Sequence, residues 1–294
     1  PDEVATAIGS ARFLDGNTGW VTVATGAATK FLRTADGGKS WETLAAPQAT
    51  PGFLAFADTQ HGWWLARTDA SMGSETVELY RTNDGGKNWT PVAKTAPAGQ
   101  GSPGSLPRTA LKTGMMFRDA SNGWVTAESR QPDQVWLYRT SDGGQTWRQQ
   151  SLPVPATFKG QSPRTAAPRF FSATAGILPV TFTDSLETVF YRTTDGGETW
   201  TPTAPVKTRP LPNGALLADF ADPAHGWTSD GSVLYSTTDG GGTWTSKTPG
   251  TSLAGVQQFN FVTPQIGWGV MGEGSATLIK STDGGTTWTA VSAR

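Results

Sequence analysis

The chain has 294 residues, and its 23 Lys and Arg balance 24 Asp and Glu to a formal charge of −1, which excludes a polybasic binder of nucleic acid. With 36% hydrophobic residues and 13 Trp it can build a core, so it is not a disordered chain, while 36 Gly and 20 Pro leave little room for long helices. No run of 18 apolar residues is present to span a membrane, and zero cysteines exclude disulfides, thiolate metal sites and cysteine nucleophiles.

In chain order the predicted elements repeat. A turn string, FLDGNTGW (13–20), is followed by a box, RTADGGKSW (33–41), and the pair recurs as FADTQHGW (56–63) with RTNDGGKNW (81–89) and FRDASNGW (117–124) with RTSDGGQTW (139–147). A degenerate turn string, FSATAGI (171–177), precedes RTTDGGETW (192–200). FADPAHGW (220–227) and FVTPQIGW (261–268) then precede STTDGGGTW (236–244) and STDGGTTW (281–288). The box aspartates Asp36, Asp84, Asp142, Asp195, Asp239 and Asp283 are 44 to 58 residues apart, so the repeat tiles the whole chain. Runs such as VELYRT and VFYRT between the strings alternate apolar and polar side chains with the period of a strand.

Each unit therefore reads as strand, turn ending in Gly-Trp, strand, variable loop, strand, Asp-Gly-Gly hairpin and strand. Four antiparallel strands of this kind make one propeller blade. The expected fold is all-β, a six-bladed β-propeller of four-stranded antiparallel blades with one box per blade. It forms a single domain over 1–294, with blades at about 1–46, 47–95, 106–152, 165–204, 214–248 and 253–294.

The box has a structural reading. Asp-Gly-Gly supplies the positive φ angles of a tight hairpin, the carboxylate accepts hydrogen bonds from its own turn, and the Trp packs back on the blade. Six interchangeable aspartates are a folding device and neither an active site nor a metal site. His61 and His225 share one repeat position before Gly-Trp, and the four tyrosines, Tyr80, Tyr138, Tyr191 and Tyr235, each stand four residues before a box Asp. All six are blade consensus. Trp64 and Trp136, the tryptophans outside the strings, are expected to pack within blades.

The pattern S/T-x-D-x-G-x-x-W resembles the Asp-box of bacterial neuraminidase repeats, found in sialidases, sortilin-type receptors, xyloglucanases and photosystem II assembly factors. With the F-x-D-x-x-x-G-W companion it is most similar to the photosystem II assembly and stability factor-like group. The resemblance covers about 13–290 and implies a β-propeller, with function implied less firmly. It also implies an arginine-rich patch. The sialidase signature is missing: there is no Arg-Ile-Pro string and no tyrosine outside the repeat.

Among the connections, the longest run over 90–114, 149–168 and 201–215 and contain no acid. They hold Lys94, Arg108, Lys112, Lys159, Arg164, Lys207 and Arg209, with Arg169 just beyond the second. Arg108, Arg164, Arg169, Arg209 and Lys159 are the candidate ligand-binding residues, on the face opposite the boxes, because a guanidinium forks onto carboxylate, phosphate or sulfate. Against them stand the loop acids Asp69, Glu75, Glu78, Glu128, Asp133, Asp184, Glu187, Asp230 and Glu273, which can neutralise the basic residues and leave a solvated face.

The expected function is a non-catalytic binding or assembly module, extracellular or at the cell surface, taking a protein or an anionic glycan, with no nucleic acid, cofactor or metal. The alternative is a glycan-active hydrolase or lyase using Arg108, Arg164 and Arg209 with a carboxylate such as Asp69, Glu128 or Asp184.

Overall fold

The computed structural model describes residues 7–25, 28–95, 104–209, 216–272 and 277–291. Parts of the connections at 96–103 and 210–215, and Glu273, lie outside the described residues. The chain divides into two compact units, Pro1–Arg130 with Trp136–Ser151, and Gln131–Val135 with Leu152–Arg294. Every described element is a strand except a single 3-10 turn at Ala156–Phe158.

In the first unit, β1 (Ala7–Phe13), β2 (Gly19–Thr25), β3 (Ala28–Thr34) and β4 (Glu42–Ala45) form one antiparallel sheet in chain order. β5 (Gly52–Phe56), β6 (Gly62–Ser71), β7 (Ser74–Thr82) and β8 (Thr90–Lys94) form a second. The third repeat supplies β9 (Leu111–Phe117), β10 (Gly123–Glu128), β11 (Leu137–Thr140) and β12 (Arg148–Gln149). In the second unit the fourth repeat supplies β13 (Pro163–Thr165), β14 (Arg169–Phe170), β15 (Gly176–Phe182), β16 (Glu187–Thr193) and β17 (Val206–Lys207). There β18 (Ala218–Phe220), β19 (Gly226–Ser229), β20 (Leu234–Thr237) and β21 (Thr245–Lys247) form one four-stranded sheet, and β22 (Val256–Phe261), β23 (Gly267–Met271), β24 (Thr277–Ser281) and β25 (Thr289–Ala290) another.

The architecture is all-β and propeller-like, but the expectation of six four-stranded blades is corrected to four, two in each unit. The strands of the third and fourth repeats form no discrete four-stranded sheet. In the fourth repeat the first edge is split: β13 and β14 both pair with β15, and Pro168 between them has no N–H to continue a ladder. In the third, the last strand is only the residue pair Arg148–Gln149.

Both strings have local causes. In the turn string the aspartate caps its own turn: Asp58 Oδ1 accepts the N–H groups of Gln60 at 2.8 Å and His61 at 2.7 Å, and Asp222 Oδ1 does the same for Ala224 and His225. Ser172 Oγ and Thr263 Oγ1 replace it in the fourth and sixth repeats. The Phe two residues before the capping residue lies over the Gly that precedes the last position, so a Cβ on Gly62 would stand 2.4 Å from the Phe56 ring. In the fourth repeat this Phe is Phe170, one residue before the string as read from the sequence, over Gly176. No other residue fits there.

The box is the same device throughout. Thr82 Oγ1 donates to Asp84 Oδ1 at 2.7 Å and accepts the Gly86 N–H at 2.9 Å, while Asp84 accepts both the backbone and side-chain N–H of Asn88. Asp36, Asp142, Asp195, Asp239 and Asp283 repeat the pattern with Ser40, Thr146, Thr199, Thr243 and Thr287. The first box glycine then donates to the turn of its own repeat, Gly85 to the Gln60 carbonyl at 2.9 Å and Gly284 to that of Gln265 at 2.9 Å. The two turns are thereby tied together at one end of each blade.

Neighbouring repeats inside a unit are joined by the Gly-Trp indole. Trp20 stacks on Phe56 with centroids 3.7 Å apart, Trp63 on Phe117 at 3.7 Å, and Trp227 on Phe261 at 3.9 Å. Each indole N–H reaches the first box glycine of the following repeat: Gly85 and Gly143 at 2.9 Å, and Gly284 at 3.2 Å. The box arginine covers the other face, Arg33 over Trp20 at 5.8 Å and Arg81 over Trp63 at 5.6 Å.

Candidate functional site

In the fourth repeat this joint is built without its tryptophan. Ile177 pairs with Arg192 in the ladder, the register at which Trp20 pairs with Arg33 and Trp63 with Arg81. The phenylalanine of the next repeat, Phe220, is retained. No parallel ring lies on it among the described residues; Phe190 and Trp244 meet it edge-on at 5.1 and 6.1 Å. A pocket of about 180 Å³ lies beside Ile177. Phe171, Ile177, Pro179, Phe190 and Phe220 line its apolar part, and Arg169 and Asp219 its polar part.

β14 places Arg169 beside Ile177, with its guanidinium 5.3 Å from the Phe171 centroid. Its Nη1 donates to Asp219 Oδ1, yet the side chain is 49% exposed, against 8% for the Asp219 side chain. Asp219 Oδ2 also accepts the Phe261 N–H at 2.7 Å and the Asn260 amide at 3.2 Å. Burial pushes the Asp219 carboxyl above its usual pKa, against those hydrogen bonds and the Arg169 charge. The arrangement offers an apolar recess with a cation at its rim, suited to holding a side chain.

None of the other candidates lines this pocket. Arg108, in the first unit, donates through Nη2 to Asp69 Oδ2 at 3.0 Å. Arg209 donates to the Val256 carbonyl at 2.7 Å and lies over Gly231. Arg164 pairs with Thr181 and Arg169 with Ile177, so the two arginines lie toward opposite ends of β15. Lys159 follows the 3-10 turn and is exposed. Asp133 accepts the N–H of the next residue, Gly160, at 2.9 Å.

Lys112 is not a surface charge. It is 3% exposed, and its ammonium donates to the carbonyls of Pro107, Thr109 and Ala110 at 2.8 to 3.1 Å. Burial lowers its pKa to about 8 although Glu75 opposes the shift. Glu75, fully buried, accepts the Lys112 backbone N–H at 2.7 Å and the Arg67 Nε–H. The pair fastens a loop containing Ala110 at φ 67°.

The histidines serve their turns, His61 Nδ1 lying 2.8 Å from Asp58 and His225 Nδ1 2.8 Å from Asp222. Trp64 and Trp136 are 1% and 3% exposed. The hydroxyls of Tyr80, Tyr191 and Tyr235 donate to Glu78, to the Pro153 carbonyl at 2.7 Å and to Asp230, each within its own unit, and burial raises the Tyr191 pKa. Among the described residues, no group of three His, Asp or Glu converges to hold a metal, and no helix is long and apolar enough to cross a membrane.

With this geometry the fold is a β-propeller whose repeats carry Asp-box turns, and the BNR/Asp-box repeat matches residues 191–202, the fourth box. Among solved structures it is similar to YCF48 bound to D1 peptide, at 19% identity and a TM-score of 0.62 over 98% of this chain and 83% of that one. It is similar to YCF48 from Cyanidioschyzon merolae, at 18% identity and a TM-score of 0.59 over 99% and 86%. It is also similar to an α-L-arabinofuranosidase from Fusarium graminearum in complex with an iminosugar inhibitor, at 13% identity and a TM-score of 0.51 over 95% and 94%. Likeness at these identities shows the fold. No curated protein matches the sequence.

Proposed function

We propose that this chain is a non-catalytic binding or assembly module, acting outside the cell or at its surface, that holds a protein segment at the fourth repeat of its second unit. The observation that carries this reading is the pocket beside Ile177, where an apolar recess meets the half-exposed Arg169 guanidinium. A few polar groups around an apolar recess are the usual composition of a binding site. The likeness to YCF48 bound to D1 peptide supports a peptide as the kind of ligand.

The pairing of Arg169 with Asp219 favours a protein segment over an anionic glycan. A polyanion at this rim meets a carboxylate as well as a guanidinium, whereas a segment mixing apolar and polar side chains satisfies both parts of the site.

The test is capture from envelope and culture fractions with the wild type and with Arg169→Gln, both shown to melt alike. A partner retained by the wild type and lost by Arg169→Gln supports the reading. Equal capture by both removes this site from it, and turnover of a polyuronide panel by the wild type replaces it with catalysis.

A further inference from the structure

The molecule itself shows what fits above the phenylalanine of a following repeat. In three joints an indole lies flat on that ring at 3.7 to 3.9 Å, with its N–H on a box-glycine carbonyl. The fourth repeat keeps the other parts of the joint. Phe220 supplies the ring, Gly240 the corresponding box glycine, and Arg192 the arginine, whose Nη1 holds the Asp239 carbonyl at 2.9 Å. The indole is replaced by Ile177 and, beside the ring of the next repeat, Ala218 stands where the second joint has Met115; the space there measures about 180 Å³.

That space matches a ring in size and chemistry. Apolar cavities of about 150 Å³ lined by aliphatic and phenyl groups stay dry and take up benzene. Here Phe171, Phe190, Phe220, Ile177 and Pro179 form such a lining. The rim is accessible: Phe171 and Pro179 are partly exposed, as are Ala167 and Ala218, which also line the pocket with small side chains. Arg169 already faces an aromatic ring at 5.3 Å, and a guanidinium at a rim attracts a second π-face.

We propose that this pocket takes an aromatic side chain of the partner, tryptophan foremost, so that the partner supplies the ring that the other joints supply from their own chain. The proposal rests on the reading of the chain as a protein-binding module and names the side chain it reads. Tryptophan is preferred over leucine because a planar ring can lie against the Phe171, Phe190 and Phe220 rings that line the pocket and offer its face to the Arg169 guanidinium at the rim.

Ligand-observed NMR titration with N-acetyl-L-tryptophanamide and N-acetyl-L-leucinamide tests it on the whole chain. The wild type is expected to bind the tryptophan probe saturably and about tenfold more tightly than the leucine probe, a difference of about 1.4 kcal/mol. Ile177→Trp, which fills the pocket from within, is expected to weaken the tryptophan probe by at least about tenfold. Should that variant fail to fold, Ala218→Leu, which narrows the rim, is expected to have the same effect. No saturable binding by the wild type, no preference over leucine, or unchanged binding by the folded variants overturns the proposal.

The functional reading fails separately. Probe binding without any captured partner strikes the module and leaves the pocket, whereas partner capture unaltered by Ile177→Trp strikes the pocket and leaves the module.

Discussion

The joint between the second and third repeats and the joint between the fourth and fifth share one register, but Ile177 stands where Trp63 does and the small Ala218 where Met115 does. In the first, Trp63 lies flat on Phe117, donates to Gly143 and is covered by Arg81. In the second, Ile177 stands at the same ladder position and Phe220 is met only by ring edges, with a pocket alongside. Each position in a repeat can be compared with its own copies. A deviation at a buried position is therefore a better pointer to function here than any charged residue common to all repeats.

Removing the indole where it is present should have the largest effect. Trp63→Ala is expected to cost about 3–5 kcal/mol in denaturant unfolding, the range for deleting a buried aromatic, with its stacking partner and hydrogen bond lost together. Ile177→Val at the equivalent site should cost only about 0.5–1.5 kcal/mol. Equal losses would mean that the two joints carry the same load and that the comparison is wrong.

A smaller effect is expected from the glycine that both joints need. Gly62→Ala places a methyl 2.4 Å from the Phe56 ring and should destabilise by about 1–3 kcal/mol through overpacking, read from the denaturation midpoint. A neutral result would show that the Phe can move aside and that Gly-Trp is not sterically required.

The smallest effect is electrostatic and common to both regions. Hydrogen bonds from the box hold Asp84 and Asp239 at about 2, below the carboxylate value of 3.8. A carboxyl lowered on folding contributes stability that is fully present above its unfolded pKa and is lost as pH falls through the folded one. The melting temperature should therefore hold from neutrality to about pH 5 and fall between about pH 4 and 2. Asp84→Asn should lower it at neutral pH and flatten that acid slope; an unchanged slope would show that the boxes do not cause it.

Much of this was legible in the sequence because the repeat is local. The turn aspartates, the box hairpins and the histidines next to Gly-Trp make contacts two to four residues away, which spacing alone can place. The number of discrete blades was not legible, since it depends on how the edge strands of the third and fourth repeats pair and on the interruption at Pro168.

The basic loops misled for a related reason. The three connections contain no acid, but Arg108 finds Asp69 39 residues away and Arg209 a carbonyl 47 residues away, while Lys112 is drawn into the core. Asp219 lies inside an ordinary strand and gave no signal of its meeting with Arg169, 50 residues earlier. The degenerate FSATAGI string was visible as a lapse. That the lapse opens a pocket depends on Phe190 and Phe220, which only the fold brings to it.

The most direct test of the central claim is hydrogen exchange at the indole N–H of Ile177→Trp, followed by NMR beside the existing tryptophans. If the fourth joint is the same device lacking its ring, the new indole signal will be as protected as those of Trp20, Trp63 and Trp227, and the variant will melt no lower than the wild type. A rapidly exchanging indole in a destabilised protein would contradict the account, because the space beside Phe220 would then not be the place of a ring.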